Sequence, residues 1–341
     1  MRDKSCYNNH ILSITKGVFI LKALVFNEFG NSNVLHYEEI PNPEIHPNEV
    51  LVRTKSIGLN FADIYRRKGN YHLAGEPPYI LGYEGAGIIV AIGKDVTQVQ
   101  VGDRVAFADA PFANAELVAV PFEKLILLPE KISFDVASSI LLQGLTAHYL
   151  TKDSYQVQPN DTVIVHAASG GVGQNLVQIS KIYGAKVISL TSTKEKAIKA
   201  LEIGADLAFT YDSHWLESVM ESTNGKGVDV VYDSVGATLD DSLRATRIGG
   251  TVVFYGMSGG DPSPIDPRML MDTSKTLTGG DLWNVLTSFE ERQKRSKQLF
   301  DWITEGKLWL QSPTVFPLAD GAKAHDFLES RMSTGKILLR P

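Results

Sequence analysis

Apolar positions along this chain show two textures. From residue 21 to about 128 they come in short runs (22–26, 50–56, 87–92, 104–107 and 115–120) separated by Pro41, Pro43, Pro47, Gly58, Gly93, Gly102 and Asp103. That spacing predicts a compact, mostly-β domain. From Asp161 the texture changes. Thr162, Val163, Ile164 and Val165 form an apolar, β-branched run that predicts a strand buried on both faces. Val172, Leu176, Val177, Ile179 and Ile182 then recur every three to four residues, the stripe of an amphipathic helix. Strand-like runs follow at 185–190, 207–211, 228–232 and 251–255, spaced as in βα units.

Between the first of these strands and its helix lie Ala167, Ala168, Ser169, Gly170, Gly171, Val172 and Gly173. A turn poor in side chains lets backbone N–H groups approach a pyrophosphate at the positive end of a helix. Glycines also mark ordinary turns, so the strand before and the helix after are what make this a dinucleotide-binding turn. The pattern predicts an α/β chain whose second half is a Rossmann doubly wound parallel sheet.

The boundary falls near residues 133–146, where a helical segment at 135–142 leads into GLTAHYL. After the last strand of the parallel sheet, near Leu277, come a charged helix at 288–303, another at 320–329 and a strand at 336–339 that returns to the first domain. The expected division is residues 22–144 with 284–341 as a discontinuous first domain, residues 145–283 as the nucleotide-binding domain, and residues 1–21 as an extension without an assigned role.

At 341 residues, two domains are expected, and 43% hydrophobic with 21% charged residues is ordinary for a globular protein. A net charge of −6 and a pI near 5.8 argue against nucleic acid or an anionic membrane as the main partner. The single cysteine, Cys6, excludes an internal disulfide. Lys16 and Gly17 interrupt the only signal-like stretch, so a cytoplasmic location is expected. The eight histidines show no i, i+3 or i, i+4 pair, and no metal site is expected. His166, at the end of a core strand, reads as a packed, hydrogen-bonded residue.

Cofactor choice turns on the end of the second strand of the parallel sheet. An NAD enzyme usually carries a carboxylate about 20 residues past the glycine turn, but here Leu190 is followed by Thr191, Ser192, Thr193 and Lys194. Hydroxyls at Ser192 and Thr193 with a cation at Lys196 suit the 2′-phosphate of NADPH. The alternative is that Lys194, Glu195, Lys196 and Lys199 are the solvated first turns of a helix.

The chain resembles the zinc-independent quinone oxidoreductases, the ζ-crystallin-like branch of the medium-chain dehydrogenase/reductase superfamily. The resemblance is carried by Asn160-Asp161 with Ala168–Gly173, Gln178 and Lys181, and by NFADIYRRKGNY (60–71), GYEGAG (82–87), GDRV (102–105), GLTAHYL (144–150), YDSVG (232–236) and LESRMSTGK (328–336). It implies a GroES-like, mostly-β catalytic domain plus a Rossmann domain, with the active site between them. Where zinc-dependent relatives need a cysteine and a histidine, this chain has Asn60 and Tyr83. The resemblance further implies Lys196, with Tyr211 nearby, at the 2′-phosphate, and Asn60, Thr146, Gly171, Val172, Ser234, Val235, Tyr255, Ser258 and Lys336 along the cofactor. It also implies a homodimer formed through the edges of two Rossmann sheets.

A quinone is electron-poor, and its reduction needs orientation and one or two hydrogen-bond donors more than a strong acid. Asn60, Tyr65 and Tyr71 are the candidates to orient the acceptor, although each also has a packing or capping role to fill. Gly279, Gly280 and Asp281 replace an Arg-Pro pair common in relatives, which bears on substrate scope. Two alternatives to quinone reduction stand: a zinc-free reductase of activated C=C bonds such as 2-enoyl thioesters or alkenals, with a tyrosine as proton donor, and a non-catalytic NADPH-binding protein of the crystallin or RNA-binding kind.

Overall fold

A computed structural model describes residues 20–341 apart from residues 213, 331 and 334, so nearly all of the 1–21 extension lies outside the described residues. The first half is built from β1 (Ile20–Phe26), β2 (His36–Pro41), β3 (Glu49–Leu59), α1 (Phe61–Arg67), β4 (Tyr79–Ile80), β5 (Gly85–Ile92), β6 (Arg104–Phe107), β7 (Leu117–Pro121) and β8 (Ile126–Leu127). The long α2 (Phe134–Tyr149) links it to β9 (Thr162–Val165), α3 (Gly171–Ile182), β10 (Lys186–Thr191), α4 (Lys194–Glu202), β11 (Leu207–Thr210), α5 (Trp215–Ser222), β12 (Val228–Asp233), α6 (Leu239–Ala245), β13 (Thr246–Phe254), α7 (Pro267–Thr273) and β14 (Thr276–Gly279). The chain then returns through α8 (Phe289–Thr304), β15 (Thr314–Pro317), α9 (Gly321–Glu329) and β16 (Ile337–Arg340).

The second sheet is parallel, with six strands in the order β11-β10-β9-β12-β13-β14. This is the doubly wound order, and its direction reverses between β9 and β12, where ligands of such sheets bind. Alternation along β9 fills two cores. Val163 and Val165 pack with Ile140 and Leu145 of α2 and Leu176 and Val177 of α3, while Ile164 joins Ile188, Trp215 and Leu239 on the opposite face.

The catalytic domain is antiparallel over most of its length. In β3, Val50, Val52 and Thr54 turn inward while Arg53 and Lys55 are exposed, the period-two pattern of a half-buried strand. β3 pairs with β5, β7 and β16, so residues 337–339 close the sheet against residues 57–59. The expected return of the C-terminal strand is thus observed, one residue later than expected. α2 runs on to Tyr149 as one helix, past the helical segment at 135–142 that the sequence indicated.

Candidate functional site

Three segments converge at the carboxyl ends of the parallel strands. After β9, Ala167 takes a left-handed conformation (φ 47°) and its carbonyl accepts from Gly170 N–H at 2.8 Å. A Cβ on Gly173 would lie 2.4 Å from that carbonyl, so the turn closes this tightly only with glycine there. Gly170 caps α3 without a side-chain bond, and Gly171 and Val172, both half-buried, lie in its first turn. The first N–H groups of a helix capped this way suit an anion.

After β10, Ser192 and Thr193 are exposed, and the Thr193 hydroxyl accepts from Lys196 N–H at 3.3 Å as the N-cap of α4. No carboxylate occupies residues 191–194, and the donor set there is hydroxyl and ammonium, which fits a 2′-phosphate. The Tyr211 hydroxyl accepts from Ala167 N–H at 2.9 Å and lies 3.2 Å from His166 Nδ1.

After β12 and β13, Ser258 donates through both N–H and Oγ to the Ser234 carbonyl at 3.0 Å, and Asp233 accepts from Val235 and Gly236 N–H at 2.8 and 3.1 Å. Tyr255 begins the loop that follows β13, and burial pushes its hydroxyl well above the usual range, so it is a neutral phenol.

The catalytic side of the cleft is organised by Glu84, a residue the sequence reading did not single out. Its carboxylate is fully buried. One oxygen accepts from Lys336 Nζ at 2.6 Å and from Asn60 Nδ2 at 2.9 Å, and the other from Leu142 N–H at 2.7 Å. Lys336 also donates to Asn60 Oδ1 at 2.8 Å, and Gln143 Nε2 reaches the same oxygen at 3.2 Å. Gln143 also packs against the glycine turn: a Cβ on Gly171 would lie 2.2 Å from its Oε1. Thr146, one turn further along α2, donates to the Leu142 carbonyl at 2.7 Å.

Asn60 therefore has two roles. It starts α1, with its own N–H bound to the Asp63 carboxylate at 2.9 Å, and its amide faces Glu84 and Lys336. Tyr65, on α1, packs edge-on against Phe61 with ring centroids 5.3 Å apart. Tyr71 lies further on, its ring 5.0 Å from the Arg66 guanidinium, which also stacks on Tyr83 at 3.9 Å. The Tyr71 hydroxyl faces Asp281, beyond β14, at 3.5 Å. Burial, then the Asp281 charge, raises its pKa, so this phenol is protonated at neutral pH.

Asn60 and Lys336 thus lie in one cluster, Gly171 lies beside its Gln143, and Ser234, Val235 and Ser258 lie across the switch point. Gln143 left no local trace in the sequence, and Glu84 only a faint one. The available signal was a glutamate inside the apolar run YEGAG and a lysine opening the apolar run KILLR, since a charge in such a setting is buried only with a partner.

A GroES-like antiparallel domain joined by a cleft to a doubly wound nucleotide-binding sheet defines a medium-chain dehydrogenase/reductase. Comparison with known families agrees: the description "Alcohol dehydrogenase GroES-like domain" matches residues 46–159 and "Zinc-binding dehydrogenase" residues 171–304. A quinone oxidoreductase of Pseudomonas aeruginosa is 37% identical over 94% of this chain and 99% of its own, and a 2-haloacrylate reductase of a Burkholderia species 36% over 94% and 99%. The Escherichia coli quinone oxidoreductase, solved in complex with NADPH, superposes with a TM-score of 0.90 at 35% identity, over 94% of this chain and all of that one. The chain belongs to the quinone oxidoreductase family of the medium-chain dehydrogenase/reductase superfamily.

The zinc in one of those descriptions does not fit the residues here. Glu84, the carboxylate of the cleft, is already neutralised by an ammonium at 2.6 Å, and no group of three or more His, Cys, Asp or Glu suited to a metal occurs among the described residues.

Proposed function

We propose that this protein reduces quinones with NADPH and without zinc, in the cleft between its two domains. The observation that carries the reading is the pairing of a glycine turn and a carboxylate-free β10 end on one wall with the Lys336–Glu84–Asn60 cluster on the other. NADPH, when bound, supplies the hydride. Ser192 and Lys196 hold the 2′-phosphate, the turn at Gly171 and Val172 the pyrophosphate, and Ser234, Val235, Tyr255, Ser258 and Thr146 line the remainder.

Lys336, fixed by Glu84, holds the Asn60 amide in one orientation, so the end of β3 faces the dinucleotide without reorganisation. Tyr65 and Tyr71 orient the acceptor carbonyl, Tyr71 as a neutral phenol able to donate a hydrogen bond, and Asn60, whose amide protons go to Glu84 and the Gly58 carbonyl, contributes by fixing the end of β3. A cytoplasmic homodimer is part of this reading. No helix among the described residues is long and apolar enough to cross a membrane, and β14 ends the parallel sheet with an unpaired edge available to a second copy. A monomeric sedimentation profile at micromolar concentration would remove the dimer.

The test is oxidation of NADPH, with NADH in parallel, against 1,4-benzoquinone, 9,10-phenanthrenequinone and crotonyl-CoA. Quinone turnover with NADPH well above NADH is expected, and no quinone turnover would refute the reading. The likeness to a 2-haloacrylate reductase favours C=C reduction as the second reading. Turnover of the enoyl substrate alone, with kcat lost in Tyr71→Phe, would select it.

A further inference from the structure

The loop that follows β14 carries a fixed negative charge to the acceptor side of the cleft. Gly280 lies against the ring of Tyr149, where a Cβ would sit 2.6 Å from the ring edge, and the next residue, Asp281, faces Tyr71. Asp281 Oδ1 accepts from Trp283 N–H at 3.0 Å as the cap of the short helix at 282–284, which holds the carboxylate in place. Its Oδ2 points at the Tyr71 hydroxyl, 3.5 Å away. The Trp283 ring packs on Tyr83 with centroids 5.7 Å apart, and Tyr83 directly precedes Glu84, so this wall is continuous with the Lys336–Glu84–Asn60 cluster.

The cations of this region are already engaged. Arg66, 1% exposed, is bound to Asp63 at 3.3 Å and to the His72 carbonyl at 3.1 Å, and Lys336 is bound to Glu84 and Asn60. Burial, then the Arg66 charge, lowers the pKa of His72 against the pull of Asp281, which leaves the imidazole neutral at pH 7. Among the described residues Asp281 therefore has no ion-pair partner. Its charge is felt at the two phenols beside it: after burial, Asp281 is the leading cause that raises the pKa of Tyr71 and of Tyr149, and both stay protonated.

An acceptor oxygen bonded to the Tyr71 hydroxyl would lie within about 6 Å of the Asp281 carboxylate. At an effective dielectric of 20, a like charge at that separation is disfavoured roughly a hundredfold, and the partial exposure of Asp281 reduces this to about tenfold or more. A neutral acceptor escapes the penalty. Tyr71 also gives up little in turning its proton from a carboxylate 3.5 Å away to a carbonyl oxygen.

We propose that Asp281 is a specificity-determining residue, which selects neutral acceptors and turns away those with an anionic group, carboxylate or sulfonate, beside the reacting carbonyl or carbon. This role rests on the quinone reading, with Tyr71 at the acceptor.

The test uses 1,4-naphthoquinone and its 2-sulfonate with wild type, Asp281→Asn and Glu130→Gln, read both as NADPH oxidation and as quenching of tryptophan fluorescence. About 0.1 M salt is suitable, because screening then acts over about 10 Å and leaves a closer interaction largely intact. Asparagine can still cap Trp283 N–H and loses only the charge. Glu130, exposed elsewhere on the first domain, reports the effect of one unit of net charge by itself. Wild type is expected to favour the neutral quinone, and Asp281→Asn to narrow that preference about tenfold or more, through KM rather than kcat. Glu130→Gln is expected to leave the preference as it is. An equal change for both acceptors in Asp281→Asn would make the residue an orienting partner of Tyr71 and overturn the proposal, as would a shift of the same size in Glu130→Gln. Binding of both quinones without turnover would refute the proposed function, and the ratio of their dissociation constants would still decide Asp281, since a ratio untouched in Asp281→Asn overturns its role. A wild type that neither binds nor turns over either quinone would sink both.

Discussion

Replacing Lys336 with methionine isolates what the buried pair does. The two groups are 2.6 Å apart with side chains 3% and 0% exposed, so their gross attraction at an effective dielectric of 20 is about 6 kcal/mol. Most of that offsets desolvation, and the pair as a whole adds little to stability. Removing only the ammonium is different, because it leaves Glu84 buried, charged and short of a donor, at a cost of about 3–5 kcal/mol. In a chain of this size that corresponds to a fall in Tm on the order of 10 °C. The assay is thermal unfolding of Lys336→Met beside the double variant Lys336→Met with Glu84→Gln, which removes the charge and, with its single amide oxygen, keeps one of the two bonds from Asn60 and Leu142. Recovery of more than half of the lost Tm in the double variant is expected, with NADPH-dependent turnover still impaired because Asn60 has lost its anchor. Equal losses in the single and double variants would refute the reasoning, since the defect would then be packing around the lysine stem.

Three further outcomes follow from the same geometry. Gly58→Ala is expected to lose 1–3 kcal/mol or more, read as a lowered urea midpoint, because its Cβ would lie 2.3 Å from Glu84 Oε2 and 2.6 Å from the immovable Ser138 carbonyl. In Gly171→Ala the intruding methyl meets the Gln143 amide at 2.2–2.4 Å, so NADPH affinity should fall about tenfold and return in the double variant with Gln143→Ala; no recovery would mean that the turn itself is strained. Burial, then the Arg67 charge, lowers the pKa of His325 to about 3, and burial first lowers that of His148 to about 4. Both folded values lie below the unfolded one, so this stability is fully present above about pH 6.5 and is lost as pH falls towards 4. The urea midpoint should decline over that window, and His325→Asn should flatten the slope by up to about 1.4 kcal/mol per pH unit.

The Rossmann half was legible because its signals are local. The β-branched run 162–165, the glycines at 170, 171 and 173 and the stripe from Val172 to Ile182 lie within about 20 residues of one another and became β9, the turn and α3. Strand β2 was not read, because HYEEIP is exposed or half-exposed along its whole length and shows no alternation. The sequence indicated the helical segment only over 135–142, whereas α2 runs on through Gly144, where the missing side chain is packing: a Cβ there would sit 2.7 Å from Ile140 Cδ1 and 3.1 Å from Leu299 Cδ1. Asn60 was read correctly as a helix cap, while its contact with Glu84 could not be, because 24 residues separate them and 252 separate Glu84 from Lys336.

The strand pairing of residues 57–59 with 337–339 also imposes an order on synthesis. The whole parallel sheet emerges from the ribosome after β3 and before its partner β16. Until then the nascent catalytic domain presents an open β3 edge and a glutamate without its cation. Contacts this distant in sequence form late, after loop closure has become affordable through structure already built between them. The parallel sheet lies between the two partners in sequence, and once folded it shortens the loop that β16 must close to reach β3.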